Sequence, residues 1–213
     1  MLKIWGRRSS MNVQKVLWLV AELGLPREHV ELGGKFGGLD EPAFRAMNPH
    51  GRVPVIDDGG VVVWESHAIL RYLAARHGAG NLWRADPAAR SQVDCWIEWS
   101  QATLQPAFID GIFVPLVRTR PSKRDPALVQ ENVRHCNELF RLLDSVLDKA
   151  PGLGKAALSL ADIPIGAHLY RYFELDIQRP SLPRIEAWYE RLRQRPGFRE
   201  YVMVSFEELR ARD

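Results

Sequence analysis

The chain has 213 residues, of which 46% are hydrophobic and 26% charged, and its formal net charge at pH 7 is +3. This length and composition are those of an ordinary soluble globular protein with one large domain or two small ones. Because no dense Lys/Arg block occurs and aromatic residues do not interleave with basic ones, nucleic-acid binding is disfavoured. A basic pocket for a small anion accounts for the charge equally well.

Cysteine content and hydropathy indicate in which cellular compartment the protein is expected. Cys95 and Cys136 lie on separate predicted helices, without CxxC or metal-ligand spacing, and we expect no metal site. Two thiols in so long a chain favour a reducing compartment over a disulfide framework. The start of the chain is short, mixed and soon charged, unlike a signal peptide, and no apolar run approaches ~18 residues. We therefore expect a cytoplasmic protein without membrane contact.

Strands and helices alternate along the first part of the chain. The run LKIW (2–5) predicts a buried strand, and apolar residues at helical spacing predict a helix over 12–23 that Gly24 ends. EHVEL (28–32) predicts a second strand. A loop with paired glycines, GGKFGG, and a short helical turn over 42–47 follow.

A hairpin and a helix complete this part. The runs VPVID and VVVWE flank Asp58-Gly59, a strong hairpin signal. Helical spacing returns at Ile69, Tyr72 and Leu73 and ends near Gly78. The order β-α-β then β-β-α predicts a small mixed sheet covered by helices, which is an α/β domain.

Strand signals vanish after Asp86-Pro87, a helix cap followed by a first-turn proline that recurs at Asp125-Pro126. We predict a helix over 88–117 that bends or breaks at Pro106 and Pro115. After Asp125-Pro126 we predict an amphipathic helix whose apolar face runs from Val129 to Leu147. The predicted domains are therefore 1–79, a linker at 80–87, and an all-α domain at 88–213.

The stretch ALSLADIPIG predicts another helix start. Ser159 and Asp162 are three residues apart, as in a capping box, with the aspartate in the place of glutamate. Leu158 and Ile163 occupy the positions of a hydrophobic staple. We interpret this segment as a folding determinant and not as part of a site.

The polar stretch GRRSSMNVQKV (6–16) lies between the first strand and the first helix. Backbone N–H groups and the positive helix end favour an anion there. The alternative is an ordinary cap, in which Ser9, Ser10 or Asn12 accepts an N–H bond and the arginines are solvated.

Two further segments carry weak signals of a peptide site. In NPHGRVP, Pro54 precedes a strand, and a cis bond after Val53 would expose the Val53 N–H and C=O to an extended ligand, although trans is the statistical default. In WESHAIL, the Ser66 hydroxyl and first-turn N–H groups suit a carboxylate, and Glu65 suits an ammonium. A simple helix N-cap is again the alternative.

In combination these motifs are specific. The ordered set S-x-N-x-x-K-V, N-P-x-G-x-V-P, E-S-x-A-I and S-x-x-D-I resembles the cytosolic glutathione transferases over essentially the whole chain. The chain looks most like the bacterial theta- and nu-type branches, which use serine or threonine with a nearby asparagine. The resemblance implies the glutathione transferase fold, with a thioredoxin-like N-terminal domain and an all-helical C-terminal domain.

The resemblance also implies roles for individual residues. Ser10 would hydrogen-bond the glutathione sulfur with help from Asn12, unless Ser9 takes this role. Val53, before a cis Pro54, would pair with the cysteinyl unit, and Glu65 and Ser66 would hold the γ-glutamyl ammonium and carboxylate. The candidates for the glycyl carboxylate are Arg52 and, more weakly, His50 and Lys35. Ser159 and Asp162 match the folding box of the family.

The polar turn at 6–16 would then exist to bind a thiolate. Hydroxyl and amide donors at a helix N-terminus stabilise the anion and lower the thiol pKa from ~8.5. Arg7 and Arg8 would add positive potential if they face the pocket. A small hydrophobic electrophile would lie against apolar side chains of the helical domain, for which the candidates are Trp99, Phe108, Ile109, Phe113 and Tyr170; the alternative is that these aromatics are core. The resemblance further implies a homodimer and glutathione as cosubstrate.

Two other functions stay open at this point. Disulfide reduction or isomerisation would use the same thiol site. A non-catalytic binding module on this fold is the alternative from another class. The combination of Ser10, Asn12, Glu65 and Ser66 favours the enzyme, because a scaffold does not need the complete set.

Overall fold

The computed structural model describes residues 1–78, 80, 82–150 and 152–213. Positions 79 and 81, where we place the end of the first domain and part of the linker, lie outside the described residues. The chain divides into two compact units, one of residues 1–83 with 196–204 and the other of residues 84–195 with 205–213.

The predicted domain 88–213 therefore differs from the structure at residues 196–204. Helix α8 (Pro196–Tyr201) belongs to the first unit because it packs on helix α1 (Met11–Glu22). The Phe198 ring meets the Trp18 ring edge-on at a centroid distance of 4.9 Å. Arg27 donates a hydrogen bond to the Tyr201 hydroxyl. A contact between such distant segments leaves no local signal in the sequence.

The first unit is built on a four-stranded sheet of order β2-β1-β3-β4. Its strands are β1 (Leu2–Trp5), β2 (Arg27–Val30), β3 (Val55–Asp58) and β4 (Val61–Trp64). β1 runs parallel to β2 and antiparallel to β3, and β3 and β4 form the predicted hairpin. The turn of that hairpin is Gly59–Gly60, whose φ angles of 65° and 96° favour glycine. The predicted mixed sheet is confirmed.

Helices α1, α2 (Pro42–Met47) and α3 (Ser66–His77) join the strands. α1 ends as predicted, because Gly24 takes a φ of 64° that other residues rarely adopt. α1 is buried almost throughout, and its apolar residues Val13, Val16 and Val20 have no exposed surface.

The second unit contains the helices α4 (Pro87–Trp99), α5 (Pro126–Val146), α6 (Asp162–Glu174) and α7 (Pro183–Arg193). The predicted caps of α4 and α5 are present: Asp86 accepts the Ala89 N–H at 2.8 Å and Asp125 accepts the Leu128 N–H at 3.0 Å. Between these helices the chain forms wider π-type turns over Ser100–Leu104 and Pro106–Arg118. Pro106 and Pro115 thus widen the helix and do not break it, since a proline removes one N–H from the ladder.

Of the predicted folding box at the start of α6, the carboxylate part is present and the serine hydroxyl cap is not. The Asp162 carboxylate accepts the Ser159 N–H at 2.7 Å and also the Gly154 N–H at 2.7 Å. The Ser159 hydroxyl does not cap α6, since it donates to the Gly152 carbonyl. Burial raises the pKa of Asp162 to about 6, while the hydrogen bonds from Ser159 and Gly154 act in the opposite direction and tie the side chain to the preceding loop.

Candidate active site

Strand register brings the three motif segments to one edge of the sheet. Trp5, the last residue of β1, pairs with Val55, the first residue of β3, and Val55 pairs with Trp64, the last residue of β4. The residues that follow β1, precede β3 and follow β4 therefore leave the sheet at the same edge. These residues belong to the turn before α1, to the Val53–Pro54 segment and to the start of α3.

Gly6 allows the first two of these segments to touch. A Cβ atom at Gly6, where φ is 146°, would lie 2.5 Å from Val13 Cγ2 and 3.0 Å from Val53 Cβ. Only a residue without a side chain permits this approach. The peptide bond between Val53 and Pro54 is cis, which confirms the expectation from the resemblance.

Helix α1 begins at Ser10 without a side-chain cap. Ser10 is the N-cap residue with an extended backbone (φ −80°, ψ 120°), and its hydroxyl accepts no cap hydrogen bond. Its side chain is half-buried, whereas the neighbouring Ser9 is only 3% exposed. The structure thus does not support the interpretation of Ser10 as an ordinary cap. The first-turn N–H groups of α1 and the Ser10 hydroxyl can serve an anion instead.

Helix α3 also begins without a side-chain cap. Its N-cap residue is Glu65, whose φ of 68° is the one positive φ of a non-glycine residue in the described parts of the chain, and the carboxylate makes no cap hydrogen bond. Such a backbone conformation costs of order 1–3 kcal/mol and concentrates at functional sites. Ser66, the first helical residue, is 3% exposed. The simple-cap interpretation of Glu65 and Ser66 is therefore not supported either.

A single lysine connects the starts of the two helices. Lys15 Nζ lies 3.0 Å from Asn12 Oδ1 on α1 and 3.3 Å from His67 Nε2 on α3. Asn12 and His67 are each the second residue of their helix. The first turns of α1 and α3 are therefore neighbours, which the sequence motifs did not show.

The basic candidates for the glycyl carboxylate lie on exposed loops of the first unit. Asn48, a buried residue of the motif N-P-x-G-x-V-P to which the sequence assigned no role, shapes one of these loops. It donates to the Arg52 carbonyl at 2.8 Å and accepts the His50 N–H at 3.0 Å. The His50 ring lies 6.4 Å from the Trp64 ring, next to Glu65 in the chain. Lys35 lies over the Phe36 ring at 5.2 Å.

The two arginines of the polar turn contact different segments, and one of them contacts α8. Arg8 donates to the Glu200 carbonyl at 3.0 Å, and its guanidinium lies 5.6 Å from the Tyr201 ring. The side chain of Arg7 runs beside Gly34, where a Cβ would lie 3.0 Å from Arg7 Cδ. Arg8 therefore binds α8, and Arg7 lies against the loop that carries Lys35.

The candidate electrophile-binding residues divide into two groups. Phe108 is fully buried between the His168 and Tyr172 rings, each 6.0 Å away, and Phe113 packs at 5.3 Å against Phe206. These two are core residues, which corrects their assignment to a pocket: with at most 1% of the side chain exposed, neither can contact a ligand.

Trp99, Ile109 and Tyr170 are half-buried in the second unit and keep accessible surface. Burial, with the nearby Glu174 carboxylate, raises the pKa of the Tyr170 phenol, so this side chain is neutral at pH 7. Among the described residues, no group of three or more His, Cys, Asp or Glu side chains could hold a metal ion. In the same part of the chain, no helix has the length and hydropathy to cross a bilayer.

Lys15 and Asn48 stand in the quoted motifs but were given no role, and His67 was not singled out. Lys15 is a charged residue on a helix whose neighbours are apolar, and a lysine is normally read as exposed. Its spacing of three from Asn12 was the available signal, because such residues face each other on a helix. The contact with His67 has no local signal.

Comparison with known proteins supports the same interpretation. The family models for the N-terminal and the C-terminal domain of glutathione S-transferases match residues 1–75 and 104–196. Glutathione S-transferase GstB of Escherichia coli K12 is 39% identical over 96% of this chain and 99% of the relative, and glutathione S-transferase 3 of Zea mays is 30% identical over 94% and 93%.

A solved structure agrees over the same length. The crystal structure of the theta class glutathione S-transferase from Xanthomonas axonopodis pv. citri, with glutathione bound, has a TM-score of 0.88 and 42% sequence identity. The match covers 96% of this chain and 98% of that one. With both domain models matched and relatives aligned over nearly its whole length, the chain belongs to the glutathione S-transferase family.

Proposed function

We propose that this chain is a glutathione transferase that ionises the thiol of glutathione and directs the thiolate at small hydrophobic electrophiles. The observation that carries the proposal is the pair of helix starts without side-chain caps, α1 at Ser10 and α3 at Glu65, at the sheet edge that also holds the cis Val53–Pro54 bond. The relative from Xanthomonas, whose structure contains glutathione, supports this ligand.

The start of α1 would stabilise the sulfur anion of glutathione. A free thiol has a pKa of ~8.5, so little of it is ionised at neutral pH. Donors from the Ser10 hydroxyl and the Asn12 amide would stabilise the thiolate preferentially and lower that pKa. The thiol proton leaves to solvent, the sulfur lone pair forms a C–S bond with the electrophilic carbon, and the leaving group departs with the bonding electrons.

The rest of the tripeptide would be held by the neighbouring segments. Val53 would pair its backbone with the cysteinyl unit. The Ser66 hydroxyl and the first-turn N–H groups of α3 would bind the γ-glutamyl carboxylate, and Glu65 would bind the adjacent ammonium. For the glycyl carboxylate the nearby cations are Arg52, His50 and Lys35.

The electrophile would contact the second unit. Trp99, Ile109 and Tyr170 offer accessible apolar surface there, and such surface suits a small hydrophobic molecule.

The proposal also covers the oligomeric state and the cellular location of the protein. We infer a homodimer, supported by the exposed apolar side chains of Val61 and Val62 on edge strand β4, which are 42% and 41% exposed. We infer a cytoplasmic location, supported by the low cysteine content of two in 213 residues, which favours a reducing compartment.

Retention on immobilised glutathione tests the proposed site. We expect the wild type to be retained and Ser66→Ala to be lost from the matrix, because Ser66 supplies a hydrogen bond to the carboxylate. Ser91→Ala is the matched control, since Ser91 is an exposed serine of α4 whose hydroxyl donates to the Ala88 carbonyl at 2.8 Å. A wild type that does not bind glutathione at all would overturn the proposed function, and activity with disulfides but not with electrophiles would replace conjugation by reduction.

A further inference from the structure

Lys15 is a fully buried lysine behind the helix starts of the candidate glutathione site. Its exposed fraction is 0%, although lysine is almost never fully buried. Its side-chain nitrogen contacts the Asn12 amide oxygen at 3.0 Å and the His67 imidazole at 3.3 Å. Burying an ammonium carries a desolvation cost that these hydrogen bonds offset.

The ammonium dictates which way the Asn12 amide points. An ammonium carries three donors and no acceptor, so the Asn12 atom that faces it must be the oxygen. The amide nitrogen of Asn12 then faces the opposite direction. Asn12 is half-buried, so its side chain keeps some accessible surface at the helix start.

The same argument predicts the tautomer of His67. Its Nε2 atom must accept the proton of the ammonium, so in the neutral ring the hydrogen is on Nδ1. His67 is buried and directly follows Ser66. Lys15 thus orients one group on each of the two helices that begin at the site.

We propose that Lys15 is a positioning residue of the thiolate site, which holds the Asn12 amide with its NH₂ group towards the glutathione sulfur. The proposal rests on the proposed function, because it requires a bound thiolate. Packing alone does not need this residue, since a methionine would fill a similar space without the cost of burying a charge. Lys15 touches neither the sulfur nor the electrophile and acts through Asn12.

A double-mutant cycle between Lys15 and Asn12 tests this coupling. The four proteins are the wild type, Lys15→Met, Asn12→Ala and the double variant, each measured for kcat and for KM of glutathione with a chloronitrobenzene electrophile. We expect Lys15→Met to lower kcat about tenfold, the loss typical of one hydrogen bond to a charged group. KM should change less than kcat. In the Asn12→Ala background, Lys15→Met should cause no further loss of kcat.

The outcomes separate this proposal from the proposed function. Lys123→Met, at an exposed lysine of the second unit, is the control for the substitution type and should retain wild-type kinetics. If the wild type conjugates glutathione while Lys15→Met retains its kcat, or if the two losses multiply in the double variant, only the role of Lys15 is overturned. If the wild type itself neither binds nor conjugates glutathione, both proposals fail together.

A measurement on the wild type keeps the proposal falsifiable if Lys15→Met does not fold. The ¹⁵N chemical shifts of the His67 imidazole report its tautomer. We expect the Nδ1–H form, with Nε2 as the acceptor. The Nε2–H form would mean that the ring donates towards Lys15, and the proposed orientation of the network would be wrong.

Discussion

At the scale of single residues, the structure distinguishes Ser10, the candidate for the sulfur contact, from Ser9, which the sequence left as the alternative. Ser10 is the half-buried N-cap of α1 with a hydroxyl that makes no cap bond, whereas Ser9 is 3% exposed. The motif was sufficient to predict Ser10, Asn12, Glu65 and Ser66 as candidates. It could not predict Lys15, because burial of a lysine depends on partners from another helix.

This difference leads to a kinetic prediction for the two serines. Ser10→Ala should lower kcat by about tenfold to a hundredfold, because the thiolate loses one charge-assisted hydrogen bond. KM for glutathione should change little, since the tripeptide keeps its other contacts. Steady-state kinetics with a chloronitrobenzene electrophile provide the measurement.

Ser9→Ala is the comparison variant for Ser10→Ala in this experiment. It removes the same hydroxyl one residue earlier and should keep kcat near that of the wild type. The reverse result, with Ser9→Ala impaired and Ser10→Ala active, would move the sulfur contact to Ser9.

At the scale of elements, hydrophobic periodicity and caps predicted the strands, the hairpin and the helix starts at Asp86 and Asp125. These features depend on neighbours within a few residues. The Ser159 hydroxyl was predicted to cap α6 and instead bonds Gly152, because a hydroxyl takes whichever partner the tertiary fold brings closest. The wide turns over 100–118 likewise depend on how two prolines are accommodated inside a packed helix.

One cluster of side chains ties the hairpin to α3. Asp58, at the end of β3, lies 3.0 Å from Arg76 Nε and 2.9 Å from His77 Nε2, and it accepts the Tyr72 hydroxyl at 3.1 Å. Partial burial alone would raise the pKa of Asp58, but the hydrogen bonds from His77 and Tyr72, with the charges of His77 and Arg76, lower it below its ordinary value.

The cluster predicts a pH-dependent loss of stability. Because the pKa of Asp58 is lower in the folded than in the unfolded state, its contribution is present above the ordinary aspartate pKa and is lost as the pH falls through the folded pKa. Asp58→Asn should lower the free energy of unfolding by about 2 kcal/mol at pH 7. The difference from the wild type should shrink in strongly acidic buffer.

Denaturant unfolding at several pH values measures this effect. Asp40→Asn is the comparison, since Asp40 forms an ion pair with Arg45 while its side chain is 90% exposed, and exposed pairs contribute little. A penalty for Asp58→Asn that stays constant from neutral to acidic pH would contradict the assignment.

At the scale of the whole molecule, the sequence predicted an α/β unit followed by a helical unit. It did not predict that residues 196–204 return to the first unit, because the contact of Phe198 with Trp18 joins positions far apart in the chain. The site has a similar origin: its segments, around residues 6–12, 53–54 and 65–67, meet only through the register of β1, β3 and β4. Motif order indicated that these segments belong together, and the register supplies the physical reason.

The pKa of the glutathione thiol in complex with the wild-type protein tests this account most directly. It is measured by titrating the ultraviolet absorbance of the thiolate, with free glutathione and the Ser10→Ala complex alongside. Donors at the start of α1 should hold the bound pKa below the ~8.5 of a free thiol, and Ser10→Ala should shift it back towards that value. A bound thiol that titrates at or above the pKa of free glutathione would contradict the account.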